Sequence, residues 1–377
     1  MKKIIAIVLA LLCAVSVAGC KPKYPYEAEY TELGIPLKDY YKTGGIERCV
    51  WDIEYLDGNL FVGSGDYDKN KGPVMMYRYN FEEQAWKLDN SVSDEQIERY
   101  FIFDDRLYAA GCDPQTSWSY GNFYYYEGTS WKTNNTIPGG IHNFDMVKFD
   151  GKIFVGLGVV DGDTPVKMTE DEKNWTPVYL YKDGKIRETH GAEYIRVYDF
   201  FVLRGELYAY FYTYYEDTAF REIYKYDGEK FVYYSDMIKN VKRANNMYAH
   251  INQKCEFNNK QYFSIGYLYQ TEDMKTAERI NVGDATSVSD MKVINDTLYI
   301  LCNERINAEG EEDKFKVSVK RSKDGQEFEE MFYFDYPVRA ISFTYVEKHF
   351  YFGMGYGVKA EKDYEQNGMV LSVKNPL

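Results

Sequence analysis

Seven times along the chain an apolar residue is followed by a two-residue polar turn, a variable position, a mostly apolar residue and a Phe or Tyr. The copies span 56–61, 103–108, 149–154, 203–208, 257–262, 294–299 and 346–351. Each reads as a tight β-hairpin, because apolar runs interrupted by two turn-forming residues are the strongest short-range hairpin signal. The turns, taken from Asp57, Asp104, Asp150, Arg204, Asn258, Asn295 and Glu347, are separated by 47, 46, 54, 54, 37 and 52 residues. Polar stretches follow the hairpins, and β-branched and aromatic runs then predict third strands at 73–79, 123–126, 177–182, 223–226 and 315–321. The short fifth unit is expected to be irregular. The seventh unit has only one strand after its hairpin, 368–374, and lacks a fourth.

Steps of this size bracket the roughly 40 to 50 residues of a four-stranded blade. The fold expected is all-β, a seven-bladed β-propeller over residues 28–377, closed by an N-terminal strand from the segment 28–36. No Pro-, Gly- or Ser-rich linker divides the chain, so the phase describes one large domain. The 39 Tyr and 22 Phe fit blades that pack face to face through large side chains. The stretch 322–328, Ser-Lys-Asp-Gly-Gln-Glu-Phe, resembles the Asp-box turn, and the chain as a whole is similar to the broad sialidase-like, kelch-like and YVTN-like group of propellers. The box implies a structural turn only. A sialidase resemblance would also imply an arginine triad, for which Arg48, Arg196 and Arg339 stand near first strands, but no pattern marks the nucleophile or the acid.

The N-terminus changes the picture. Met1-Lys2-Lys3 precedes an apolar run over 4–18 and the sequence Val17-Ala18-Gly19-Cys20. A positive start, a short apolar region and small residues before a cysteine make this resemble a bacterial lipoprotein signal, against an ordinary secretory signal or a membrane anchor. The resemblance implies cleavage of residues 1–19, a diacylglyceryl group on the Cys20 sulfur, a short tether over 20–27 and a lipid-anchored, extracytoplasmic protein on the bacterial cell membrane or outer membrane. The formal net charge of −14 becomes two units more negative without Lys2 and Lys3. Nucleic acid is therefore disfavoured as a partner. Cys49, Cys112, Cys255 and Cys302 show no metal spacing, and buried small hydrophobes explain them better than disulfides.

The repeat phase also exposes a column. Four residues before the apolar residue that precedes each turn stand Asp52, Arg99, Asp145, Asp199, Gln253, Asp290 and Ser342. In a propeller these lie early on the strand lining the central channel, toward the loops joining second and third strands. Asp52, Asp145, Asp199 and Asp290, with Arg99 and Gln253, are thus candidate ligand-binding residues at one channel mouth. Crowded carboxylates raise one another's pKa or recruit a cation, so calcium is a candidate cofactor. The plainer explanation is a wet channel whose Asp side chains accept backbone N–H groups. His142 and His250 begin first strands and are placed to face the channel. No nucleophile elbow, zinc-protease motif, Walker loop or dinucleotide fingerprint occurs. The function expected is non-enzymatic binding of a glycan or protein at the mouth. An envelope assembly scaffold comes second, and a glycan-active hydrolase or lyase using the channel carboxylates third.

Overall fold

The computed structural model describes residues 24–375 except 160–163, 188–191, 193, 243–249, 252, 285 and 309. Residues 1–23, with the expected leader and Cys20, lie outside the described residues. Among those described, strands pair into seven successive antiparallel units of four. Their innermost strands are Asp52–Leu56, Asp94–Phe103, His142–Phe149, Tyr194–Leu203, Gln253–Phe257, Thr286–Val293 and Ala340–Val346. Each innermost strand touches the next and the seventh touches the first, so the ring is closed. The chain is a β-propeller.

The hairpin signature has a backbone cause. Both central residues of all seven turns have positive φ, from 47° at Asp57 to 76° at Gly58. Such turns match the right-handed twist of the flanking strands but demand the left-handed region, which Gly, Asn and Asp tolerate best. Blade 7 places Glu347 and Lys348 there instead, at 47° and 66°. Four residues past the first turn position, Phe61, Tyr108, Phe154, Tyr208, Tyr262 and Tyr351 are buried, whereas Tyr299 is half-buried. These rings anchor hydrophobic clusters that fill the wedge between each pair of neighbouring blades, for example Phe61 with Ile97 and Tyr126 between blades 1 and 2, and Tyr262 with Val288 and Ile300 between blades 5 and 6. The last wedge, between blades 7 and 1, holds Tyr351, Val370, Val50 and Val62.

The N-terminal strand Thr31–Gly34 pairs antiparallel with Val370–Lys374 and supplies the missing fourth strand of blade 7. Before it, Tyr26–Glu27 lies parallel on the outer strand of blade 6, Glu329–Tyr336, with Tyr26 opposite Phe332. The chain is therefore bound to the ring within the stretch read as a tether.

Blade 5, expected to be irregular, is a complete four-stranded unit of Gln253–Phe257, Lys260–Ile265, Tyr267–Thr271 and Glu278–Ile280, and two further strand expectations need correction. The third strand of blade 3 is Val166–Thr169, not the expected 177–182, and its partner is only Thr176–Pro177. The 177–182 run instead contributes Leu180–Lys182, which with Lys185–Ile186 forms a hairpin added parallel to the outer strand of blade 4. Val178 and Leu180 are buried among the blade 3 and 4 side chains, so the run satisfies its apolar pattern on a neighbouring edge. In blade 4 the third strand expected at 223–226 starts earlier, in a continuous hairpin of Glu206–Tyr215 with Thr218–Tyr226 that turns at Glu216 and Asp217.

The Asp-box-like turn is one of a set. Asp324 accepts the N–H groups of Gln326 and Glu327, and the Ser322 hydroxyl accepts that of Gly325. Asp171 accepts from Lys173 and Asn174 after Thr169, and Asp273 from Lys275 and Thr276 after Thr271. All three join third and fourth strands. All four described cysteines are free, with Cys49, Cys112 and Cys302 buried.

Because an L-residue with a Cβ is strained in the left-handed region, Lys348→Gly should stabilise the ring by about 1 kcal/mol. The midpoint of urea unfolding reads this directly. An unchanged or lower midpoint would show that the blade 7 turn carries no such strain.

Candidate functional site

The channel has two ends, a turn face bearing the hairpins and a loop face bearing the second-to-third-strand connections. The column residues occupy the loop-face end. Asp52, Asp145 and Ser342 sit opposite Gly63, Gly156 and Gly353 of their second strands, while Asp199 and Asp290 face Tyr210 and Leu301. A β-bulge precedes the column residue in blades 3, 4, 6 and 7, and another spans Glu98 and Arg99 in blade 2. A bulge leaves one residue unpaired and re-aims its neighbours.

The carboxylates serve the backbone freed there. Asp52 accepts the N–H of Tyr100 on the next blade at 2.8 Å and that of Ile53 on its own strand. Asp145 accepts from Phe200 of blade 4 at 2.6 Å. Asp290 accepts from Phe343 of blade 7 at 2.8 Å and from Met291 on its own strand. The Ser342 hydroxyl donates to the Val50 carbonyl and so joins blade 7 to blade 1. Gln253, half-buried, caps the N–H of Lys254. Each carboxylate stitch satisfies a buried donor that would otherwise cost about 1–3 kcal/mol.

Cations brace the ring across the channel. Arg99 of blade 2 donates to Asp199 of blade 4 at 2.7 Å and to the Ile251 carbonyl, and lies 3.5 Å from Asp145. Lys254 of blade 5 reaches Asp145 at 2.7 Å and Asp199 at 3.0 Å. Lys292 of blade 6 pairs with Glu54 of blade 1. Burial pushes the Asp199 carboxyl upward, but Lys254 and Arg99 outweigh it and hold it below the usual range. Asp145 is raised by burial despite the same two cations. The cavity between these groups measures about 280 Å³, and Asp52, Glu54, Arg99, Asp145, Gln253, Lys254 and Lys292 provide its polar lining. Asp199 and Asp290 stand behind it. Among the described residues no group of three or more His, Cys, Asp or Glu side chains is arranged to hold a metal ion.

A second layer lies on the loop face. The bulges place Glu98, Phe144 and Tyr198 immediately before Arg99, Asp145 and Asp199, and around these three the face becomes aromatic. Phe144 stacks on His142, with ring centres 5.1 Å apart, and meets His250 edge-on at 5.6 Å. Tyr198 lies 4.0 Å from His250 and 5.5 Å from Tyr212, and Tyr67 lies 5.4 Å from His142. The Arg196 guanidinium covers Phe144 and donates to the Tyr198 hydroxyl at 2.8 Å. Tyr67, His142, Arg196, Tyr212 and His250 are each half-buried and form the accessible rim.

Burial pushes both imidazoles down to about 3, helped at His142 by Arg196, so they are neutral at physiological pH. Each then offers one donor and one acceptor. Burial raises the Glu98 carboxyl, with Arg99 opposing and Asp199, Asp145 and Asp52 adding to the rise. Burial also lifts Asp113 to about 7; it stands 3.4 Å from His142 Nδ1. The result is an aromatic rim around neutral hydrogen-bonding groups and one guanidinium, above an ionic floor.

The three arginines read as a possible triad do not converge. Arg48 donates to the Tyr41 carbonyl at 2.7 Å, Arg339 covers Phe315 and Tyr356, and Arg196 belongs to the rim. Lys254, Lys292, Glu54, Glu98 and Tyr198 were not singled out from the sequence. A signal for part of this existed, since an aromatic residue directly precedes the column Asp in Trp51-Asp52, Phe144-Asp145 and Tyr198-Asp199.

No protein-family model matches the chain, and no curated protein matches its sequence. Solved structures do. Virginiamycin B lyase from Staphylococcus aureus aligns over 92% of this chain and 99% of its own at 10% identity, with a TM-score of 0.52. A chain of the mitotic checkpoint complex aligns over 94% of this chain and 97% of its own at 7% identity, with a TM-score of 0.50. Sqt1 from Saccharomyces cerevisiae aligns over 94% of this chain and 100% of its own at 10% identity, with a TM-score of 0.47. Likeness at such identity concerns the fold alone.

Burial lifts Asp290 to about 7, with Lys292 opposing and Asp52 adding to the rise. An acid whose folded pKa exceeds the roughly 3.9 of an unfolded Asp stabilises the fold most at low pH, and that contribution is lost as pH rises through the folded value. Asp290→Asn keeps an acceptor but cannot ionise. The stability of wild type relative to this variant should therefore fall between about pH 4 and 7 when urea midpoints are compared. A difference independent of pH would contradict the assignment. Asp290→Ala should cost more than Asp290→Asn at every pH, because it orphans the N–H groups of Met291 and Phe343.

Proposed function

We propose that this protein is a membrane-anchored, extracytoplasmic binding protein that holds a glycan at the loop-face mouth of its channel. The observation that carries the reading is the rim of Tyr67, His142, Arg196, Tyr212 and His250 around Tyr198 and Glu98. Sugar rings stack on aromatic faces, and their hydroxyls match groups that both donate and accept. The neutral imidazoles supply such groups without fixed charge, and the half-buried Glu98 carboxyl adds an acceptor beside them. The column residues Asp52, Arg99, Asp145, Asp199, Gln253 and Asp290 support the site from below. Their carboxylates are engaged by backbone N–H groups and by Arg99, Lys254 and Lys292, which favours a supporting role over direct capture of calcium.

Anchoring rests on the resemblance of residues 1–20 to a lipoprotein signal that ends at Cys20. No helix among the described residues is long and apolar enough to cross a membrane. A second reading, a glycan-active enzyme, is favoured by the same neutral imidazoles beside Tyr198 and Arg196, which place acid and base groups together. A protein ligand and a scaffold role are supported by no comparable cluster.

A glycan array on the soluble form, run with and without calcium, tests the reading. Binding that Arg196→Ala weakens by about tenfold, equivalent to roughly 1.4 kcal/mol, with calcium without effect, is the expected result. Binding unaffected by Arg196→Ala and by Glu98→Gln would move the site elsewhere. Depolymerisation of a bound glycan would establish the enzymatic reading. For the anchor, Cys20→Ala should release the protein from membranes or leave an unprocessed precursor, and unchanged processing and detergent partitioning would refute it.

A further inference from the structure

The path of the first described residues bears on how the ring is presented. Within a blade, first and third strands run from the loop face to the turn face, and second and fourth strands run back. The outer strand of blade 6, Glu329–Tyr336, therefore begins at the turn face. Tyr26–Glu27 lies parallel to it, so residues before Tyr26 extend toward the turn face. Tyr24 confirms the direction. The Arg321 guanidinium covers its ring at 5.1 Å, and Arg321 pairs with Glu329 at the turn-face end of that blade. Downstream, Tyr30 packs on Phe334 and Tyr336 as the chain proceeds toward the loop face.

Only Lys21, Pro22 and Lys23 separate Cys20 from Tyr24. Even fully extended, four residue steps reach about 14 Å. From the level of Glu330 to that of Tyr336 the outer strand rises roughly 20 Å, at about 3.3 Å per residue, and the loops lie beyond. Cys20 can reach the turn face or the flank of blade 6, but not the loop face.

We infer that the lipid on Cys20 holds the turn face toward the membrane and presents the loop face, with its aromatic and imidazole rim, to the aqueous compartment. This rests on the lipid-anchor reading and gives it a direction. The chemistry of the turn face agrees. Its hairpin turns carry Asp57, Asp104, Asp105, Asp150, Asp296 and Glu347 against Arg204 and Lys348. Such a surface is not drawn onto anionic head groups, so the ring stands on its tether, whose Lys21 and Lys23 are the positive charges nearest the membrane. The ligand is accordingly a glycan reached from the side away from the anchoring membrane, not a lipid head group of that membrane.

Fluorophores on single introduced cysteines, read against a head-group quencher in vesicles carrying the lipidated protein, test this. Lys323→Cys and Glu127→Cys place labels on the turn face of blades 6 and 2. Glu312→Cys and Trp118→Cys place them on the loop face of the same blades, and all four positions are exposed. The native thiols do not compete, since Cys49, Cys112 and Cys302 are buried and burial raises the half-buried Cys255 thiol. Quenching should be several-fold stronger at positions 323 and 127 than at 312 and 118. Equal quenching at all four, or stronger quenching on the loop face, overturns the orientation. The mass of the N-terminal peptide separates the two failures: no diacylglyceryl group on Cys20 would overturn the anchor itself and the orientation with it.

Discussion

The ring depends on one contact, a carboxylate on one inner strand accepting the backbone N–H of the next. Bulges at the column turn a main-chain donor away from its own ladder, and the neighbouring blade supplies the acceptor: Asp52 for Tyr100, Asp145 for Phe200, Asp290 for Phe343. An orphaned donor at these buried positions costs as much as a small core truncation. The wedges between blades are filled by aromatic and aliphatic side chains that are strong but non-directional. At the junctions of blades 1 and 2, 3 and 4, and 6 and 7 the carboxylate stitches add direction, fixing how far one blade turns relative to the next.

That constraint separates support from recognition. Once Asp145 and Asp199 are committed to Phe200, Arg99 and Lys254, they are poor candidates to seize a ligand, because removing a partner from a buried ion pair leaves the other charge uncompensated. The same bulges carry Glu98, Phe144 and Tyr198 onto the loop face. One local irregularity thus creates both the donor that the column must satisfy and the side chains that shape the surface above it. The histidines beside these residues are held neutral by burial, which suits them to hydroxyl groups and not to anions.

Much of the ring was legible in the sequence because its turns require positive φ at two consecutive residues, a demand few residue types meet cheaply. Asp57-Gly58 and Asn258-Asn259 advertise it, and Glu347-Lys348 is found only because the phase predicts a turn there. The column was legible for a related reason, since a fixed offset from the turn is a fixed height in the channel. Cross-channel pairing was not legible, because Arg99 finds Asp199 two blades and 100 residues away, and Lys254 finds Asp145 at 109 residues. Nothing local encodes those distances. The third strand of blade 3 was missed because Val166–Thr169 is four residues long, while 177–182 has a stronger pattern that the outer edge of blade 4 claims instead. The early start of the blade 4 third strand at Thr218 was missed because its turn, Glu216-Asp217, lacks Gly and Asn.

Residue-resolved hydrogen exchange tests the account at its centre. If carboxylates of neighbouring blades hold the ring, the amides of Tyr100, Phe200 and Phe343 should exchange only with global unfolding, as slowly as the second-strand amides of Phe61 and Phe154 in the packed wedges. Exchange of Tyr100, Phe200 and Phe343 at the rate of the surrounding loops, with Phe61 and Phe154 still protected, would show that the blades are held by the wedges alone.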